Sequence, residues 1–344
     1  MTVPMNPFSQ SALAARLREQ PIGFVDIGAR GGVHETVLPL APYASVLCFE
    51  PDPNESAVLQ AQVKREGTPF QSLRFESIGL AGFDGRATLH RFTAPTNDSL
   101  RPPNTQFVDR YRMEKWRKVG ELAVPVRKLD SVIFDGSANT DGEILKIDTQ
   151  GTELEILQGG ERTLRERTVA VICEVSFAEL YAGQGLFSEV ERWLRALGFS
   201  FYGFDTMRLR SHNRLDRRNH WSRERVIQAD AVFFKDPLMT AAETLLSARQ
   251  HDVLIASSVL FEFFEFAREL VDALESDPTE ADLLRRWIDT ASRLDLASEV
   301  RDVEAVLSQA KAAPETAAIG IGTFVDSRRK RGDVSWAVTT SPET

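Results

Sequence analysis

A chain of 344 residues is longer than a typical single domain, so one large domain with an additional segment is expected. The composition, 42% apolar and 26% charged, is that of an ordinary soluble protein, and a formal charge of −9 argues against general affinity for nucleic acid, whose binding rests on cationic contacts to phosphate. Basic residues gather at 208–225 and 328–331, and such runs are usually solvated faces. The two cysteines, Cys48 and Cys173, each sit inside an apolar run and read as buried thiols, not as a disulfide or a metal pair. The first twenty residues lack the apolar stretch and cleavage pattern of a secretory signal, so a cytoplasmic location is expected.

Residues 9–19 read as a short amphipathic helix, followed by a strand at 22–26, a helix at 34–42 and a strand at 45–49. A helix over 54–65 with Asn54 as its cap, and a third strand at 73–78, complete this first run. Alternation at 85–92 and 122–126 predicts two antiparallel strands, an inserted β-hairpin. The long polar stretch between them, 93–120, reads as a lid over the site. The parallel pattern then resumes: a strand at 143–147, a helix at 152–165, a strand at 169–173, a helix at 188–197, and strands at 199–204 and 229–234. Strands alternating with helices imply a mostly parallel sheet covered on both faces.

Beyond residue 240 only helical patterns remain. The first, 253–274, is apolar on most sides with a polar stripe at Ser258, Glu262, Glu265 and Glu269. Its carboxylates argue against a membrane span. Its apolar surface predicts a homo-oligomer contact, with packing against the rest of the same chain as the plain alternative. Asp277 followed by Pro278 and Glu280 starts a helix running to about 296, and another spans 299–312. The expected domains are 1–240 for the sheet, 241–315 for an α-helical appendage and 316–344 for a loosely ordered tail.

The chemistry concentrates at strand ends. Apolar residues 22–25 run into Asp26 and then a glycine-rich turn, and a second apolar strand ends at Glu50. Ligands of open α/β sheets bind outside the carboxyl ends of the strands. A dinucleotide fingerprint needs glycine at the first, third and sixth places. Counting from Gly28, those places hold glycine, Arg30 and Val33, so a nicotinamide site is disfavoured. The pattern suits an S-adenosylmethionine turn instead. Gly28 and Gly32 would let backbone approach the ligand. Asp26 would hold the ammonium group, and Glu50 would accept both ribose hydroxyls. The bland alternative is a capping acid beside a tight turn.

A second constellation runs from Ile144 to Glu153, with Asp148 at the end of its strand beside the expected methyl position and Gly151 permitting the turn. Here Asp148 or Thr149 could instead be a helix cap, and Glu153 a favourable first-turn charge.

Together these residues resemble the FkbM-type methyltransferase family. The segments that carry the resemblance are FVDIGARGG, LCFEPDP, VPVRKLDSV, ILKIDTQGTELEILQGG, VICEVS and QADAVFF, spread over 22–235. The resemblance implies a class I methyltransferase (Rossmann-like) fold with strand order 3-2-1-4-5-7-6. It also implies S-adenosyl-L-methionine as cofactor and transfer to oxygen, on a small-molecule or glycan hydroxyl. Two residues depart from the family habit: Arg30 replaces asparagine, placing charge near the carboxylate end of the cofactor, and Gln150 replaces glutamate on the substrate side.

A neutral alcohol gains from a general base within hydrogen-bond reach. The candidates are Asp148, Glu174 at the end of the fifth strand, and His34, which could equally be a first-turn histidine near solvent. Asn97 and Ser99 in the lid, and Glu153, are candidates for gripping substrate. His212 and His220 lack the compact spacing of a zinc site, while an oxygen-ligated magnesium stays open. Trp116, Trp193, Trp221 and Trp287 are dispersed and read as packing. The competing functions are a non-catalytic cofactor-binding scaffold and a nicotinamide-dependent oxidoreductase.

Overall fold

A computed structural model of the chain describes residues 7–136, 140–212, 214–216, 218, 220, 222–239 and 246–326. The chain divides into two compact units, Met1–Arg208 with Val226–Ser292 and Leu209–Arg225 with Arg293–Thr344.

The first unit opens with a turn of 3-10 helix, Phe8–Gln10, and helix α1 (Ala12–Glu19), whose N-cap Ser11 accepts from the Ala14 N–H at 3.0 Å. Strand β1 (Ile22–Ile27) is buried at every residue. The segment expected as a helix at 34–42 is a 3-10 helix, Glu35–Tyr43, because Pro39 and Pro42 lack the N–H that an α-helix would use. Strand β2 (Ala44–Phe49) leads to α2 (Pro53–Glu66) and β3 (Ser72–Glu76). The cap of α2 is Asp52, which accepts from Asn54 N–H at 3.0 Å, with Pro53 pre-set at the first helical position; Asn54 is inside the helix, not its cap.

The insertion contains β4 (Gly79–Leu80), β5 (Gly85–Phe92), α3 (Thr105–Arg110) and β6 (Lys118–Arg127). The expected hairpin is thus one antiparallel pair of a three-stranded sheet ordered β4-β6-β5. Helix α4 (Leu129–Phe134) returns the chain to β7 (Ile144–Ile147). The helix expected over 152–165 is two, α5 (Glu153–Gly159) and α6 (Glu161–Glu166), broken at Gly160, where a Cβ would stand 2.6 Å from Leu129. Then follow β8 (Ala170–Ser176), α7 (Phe187–Ala196), β9 (Phe199–Arg210) and β10 (Arg225–Lys235).

The main sheet has seven strands ordered β3-β2-β1-β7-β8-β10-β9. The pairs from β3 through β8 are parallel, and β10 runs antiparallel to β8. Counting only these strands, the order is the expected 3-2-1-4-5-7-6, so the fold is that of a class I methyltransferase. Alternate residues feed opposite faces: Phe24 and Val46 join one apolar cluster, Val25 and Leu47 the other.

Helices α8 (Ala248–Leu260), α9 (Phe264–Leu274) and α10 (Pro278–Ala291) complete the first unit. They correct two expectations. The segment 253–274 is not one helix; it breaks at Phe261–Phe263, where Glu262 has φ 66. Nor is 241–315 one separate appendage: α8–α10 share the cluster that covers β1 and β2, while 293–315 falls in the second unit. Arg249 pairs with Glu143 at 2.7 Å, and the Glu280 carboxylate accepts from the Ala12 and Leu13 N–H groups at 2.8 Å, capping α1 from far along the chain. Trp287 stacks on Phe8 with centroids 4.1 Å apart. Val253, Leu254, Ala256 and Leu270 are fully buried, which removes the premise for self-association through this segment. Ser258 leaves the expected polar stripe as well, buried and donating to Leu254 O at 2.8 Å.

In the second unit, α11 (Leu296–Ala312) packs with α12 (Ala317–Asp326), so part of the expected loose tail is helical. Trp221 and the basic run 328–331 lie outside the described residues. Among the described residues no helix is long and apolar enough to cross a membrane. Cys48 and Cys173 are buried and free, and burial pushes both thiols well up.

Candidate active site

A cavity of about 420 Å³ opens at the carboxyl ends of β1, β2 and β7, within the size range of ligand sites. Its lining includes the end of β1 and the glycine turn, from Asp26 to Glu35, the end of β2 at Glu50, β4 and Leu89 of β5, the insertion around residues 95–100, and the end of β7 with the turn after it, from Lys146 to Thr152.

Asp26, the penultimate residue of β1, sits in register with Lys146 of β7. It is fully buried; Oδ2 accepts from the His34 N–H at 2.8 Å and Oδ1 stands 3.5 Å from Lys146 Nζ. Among the described residues Oδ1 accepts no hydrogen bond, its ionic neighbour being Lys146, and Asp26 lines the cavity. Burial opposes charge on Lys146, but Asp26 and then Asp148, 3.9 Å away, hold its ammonium above the usual lysine range.

The glycines of the turn do two different jobs. Gly28, at φ 88, is required by the protein itself: a Cβ there would lie 1.9 Å from the Asp148 carbonyl oxygen. Gly28 lines the cavity as well. Gly31 and Gly32, at φ 84 and 117, have open space beside them and do leave backbone accessible.

Glu50 is 2% exposed. Its N–H donates to Glu76 O at 3.1 Å, and Oε1 accepts from the Asp52 N–H at 2.7 Å. Burial raises its pKa above 4.5, against the Asp52 hydrogen bond and the Arg30 charge. Arg30 extends toward this acid: its Nη2 lies 3.5 Å from Glu50, 3.4 Å from Asp52 and 3.3 Å from Asp98. Its charge therefore lies among three acids, Glu50, Asp52 and Asp98.

At β7, Asp148 lines the cavity, and its Oδ1 accepts from Gln150 Nε2 at 2.6 Å. Glu153 does not line it; its carboxylate turns back to accept from the N–H groups of Thr149 (2.9 Å) and Gly151 (3.0 Å) and holds the turn. Glu174 also stays off the cavity wall. It lies inside β8, not at its end, 3% exposed, accepting from Gln150 at 3.0 Å, Gln228 at 2.9 Å and Arg208. Burial first, then Asp148, push its carboxyl well up, opposed by Arg208. Arg208 is thus tied to an internal acid and is no member of a free basic face. His34 lines the cavity while Nδ1 accepts from Thr36 N–H at 3.4 Å, which leaves the ring proton on Nε2 when the ring is neutral.

Within the insertion, Ser99 lines the cavity and donates to Gln150 O at 2.6 Å. Asn97 does not; its Nδ2 donates to Lys115 O at 3.1 Å, and its backbone carbonyl oxygen lies 3.0 Å from the Tyr181 hydroxyl, so it ties the loop to itself. The rest of the insertion is no loose lid. Phe92, Phe107, Met113 and Trp116 form a small core with Tyr181.

Sequence reading missed Lys146, whose signal was a lone cation in an otherwise apolar buried strand. It also missed Tyr181 and Gln228, which no local pattern marks; they reach the site only through the tertiary fold. His212 and His220 fall in the second unit, and among the described residues no cluster of three or more His, Cys, Asp or Glu side chains could hold a metal ion. For S-adenosylmethionine the donor set fits. The unmet Asp26 oxygen suits an ammonium, Glu50 suits paired hydroxyls, and the open turn at Gly31 and Gly32 admits close approach.

Sheet order and site position together define a class I methyltransferase fold with its ligand cavity at the strand ends. Residues 26–201 match the methyltransferase FkbM domain, and the chain belongs to that family. Over 173 residues it is 28% identical to the 2-O-methyltransferase NoeI of Sinorhizobium fredii (strain NBRC 101917 / NGR234). That match takes in 46% of this chain and 65% of the relative, a little under two-thirds of its length. Among solved structures, methyltransferase FkbM from Methylobacillus flagellatus KT aligns with a TM-score of 0.35 at 15% identity, over 62% of this chain and 43% of that one. Magnesium protoporphyrin IX methyltransferase from Synechocystis PCC 6803, with bound SAM, aligns with a TM-score of 0.31 at 10% identity, over 65% and 74%.

Proposed function

We propose that this chain uses S-adenosylmethionine to methylate a hydroxyl oxygen on a sugar, a glycan or another polyhydroxylated small molecule. The observation that carries the reading is the pairing of a buried, unsatisfied Asp26 oxygen with a buried Glu50 on the wall of one cavity. Membership of the FkbM family supports the cofactor and the reaction, and the name of the 2-O-methyltransferase relative supports oxygen as acceptor. The sulfonium of the bound cofactor would supply an electrophilic methyl carbon. Asp26 would hold the ammonium end and Glu50 the ribose hydroxyls, with Gly31 and Gly32 leaving backbone open beside them.

Asp148 is the group proposed to take the acceptor's hydroxyl proton, because it lines the cavity and one of its oxygens is anchored by Gln150. Lys146, protonated between Asp26 and Asp148, keeps the two acids in fixed orientation. The residues at 95–100 wall off one side of the cavity and exclude water there. Holding donor and acceptor in line can supply about 7–11 kcal/mol of barrier reduction. A cytoplasmic location is part of the same reading.

The test is label transfer from methyl-labelled cofactor to a panel of hydroxylated acceptors. Labelled product with the intact chain, and turnover reduced about a hundredfold or more in Asp148→Asn with cofactor affinity kept, are the results expected. Label on nitrogen-bearing acceptors alone would overturn the oxygen assignment.

A further inference from the structure

Every polar atom of the Gln150 side chain is engaged. Nε2 donates to Asp148 Oδ1 at 2.6 Å and to Glu174 Oε2 at 3.0 Å, and Oε1 accepts from Tyr181 OH at 2.9 Å. The backbone is committed too: φ is 60, in the left-handed region a non-glycine residue seldom occupies, and the carbonyl accepts from Ser99. Between two carboxylates, a group with two hydrogens can give one to each. The amide supplies both and adds no charge. Glu174, the inner acid, is itself fixed by Gln228 and Arg208. Gln150 thus joins a buried, hydrogen-bonded acid to the acid on the cavity wall by direct hydrogen bonds, beside the longer ionic contact from Lys146.

We propose that Gln150 is the positioning residue for Asp148: anchored on Glu174 and Tyr181, its amide fixes the Asp148 carboxylate toward the cavity. This rests on the reading of Asp148 as the acceptor-side group. The charged groups facing Asp148 are Lys146 on its own strand with Asp26 behind it on β1, Glu153 on α5, Glu174 on β8, Arg208 on β9 and Asp230 on β10. Acids outnumber cations there, so a further ionised carboxyl between Asp148 and Glu174 would repel both.

Two variants and two readouts test it. Gln150→Leu removes the tie. It is expected to lower kcat at least about tenfold while S-adenosylhomocysteine affinity stays within about twofold, and its crystal structure is expected to show Asp148 in a different rotamer. Gln150→Glu keeps the shape but donates only while protonated. Its kcat is expected to fall about tenfold more than that of the unchanged protein between about pH 6 and pH 8. An Asp148 rotamer unmoved in Gln150→Leu, or a parallel pH profile for Gln150→Glu, would overturn the proposal. The rotamer is read without turnover. If the unchanged protein transfers no methyl group while Asp148 still swings in Gln150→Leu, the function reading falls and the positioning role stands.

Discussion

Burial lifts the Glu50 carboxyl above 4.5, and two opposite pH responses follow from that one shift. With Glu50 as the proposed acceptor of the ribose hydroxyls, its ionised form is the stronger acceptor, so S-adenosylhomocysteine affinity is expected to weaken as pH falls through the raised value, where an ordinary glutamate is still charged. Calorimetry between about pH 8 and pH 5 checks this, and Glu50→Gln is expected to bind about tenfold or more weakly, with a flat pH response. Stability moves the other way. A carboxyl with a raised folded pKa contributes stability that is present below its unfolded pKa and lost as pH rises through the folded value. The thermal midpoint of Glu50→Gln should therefore gain on that of the unchanged protein as pH rises through this window. Asp26 and Glu50 were legible in sequence because each follows an apolar run; the structure places Asp26 one residue before the end of β1 and Glu50 one residue past β2. Glu153 misled because a first-turn acid looks the same whether it faces substrate or, as here, turns back to the Thr149 and Gly151 N–H groups. Gln150 was noticed only as a departure from family habit, since its partner Tyr181 is 31 residues away.

The turn after β1 is held by contact between two strands' ends. Gly28→Ala would push a methyl group into the Asp148 carbonyl and is expected to cost about 3 kcal/mol or more, seen as a lower denaturation midpoint. Gly32→Ala meets open space and only backbone strain, so a cost of about 1 kcal/mol is expected, and equal costs at the two sites would contradict this division of labour. The insertion hangs on Tyr181, whose hydroxyl accepts from Trp116 at 3.0 Å and reaches Gln150 and Asn97 O. Tyr181→Phe is expected to cost about 1–3 kcal/mol and to speed hydrogen exchange across 93–117, with exchange elsewhere unchanged. The strands themselves were readable because alternation and apolar runs are local signals, whereas their order came only with the family resemblance. The breaks at Gly160 and Phe261–Phe263 were not, because each follows from what the neighbouring element occupies.

At the scale of the molecule, an apolar helix face does not say what it covers, and 253–274 could be read as well for self-association as for internal packing. The chain buries that face against its own sheet, and α10 caps α1 through Glu280. Trp287→Ala is accordingly expected to destabilise the whole first unit by about 3–5 kcal/mol in one cooperative transition. An early, separate melting of α8–α10 would contradict their place in that unit. In the proposed function one adenosyl cofactor is held between the glycine turn and Glu50. The most direct measurement is titration calorimetry of the full chain with S-adenosylmethionine and with NAD, on the unchanged protein and Glu50→Ala. One S-adenosylmethionine per chain, no NAD, and an affinity about tenfold or more weaker in a still-folded Glu50→Ala is the predicted result. No S-adenosylmethionine binding, or equal affinity in the two proteins, would contradict it.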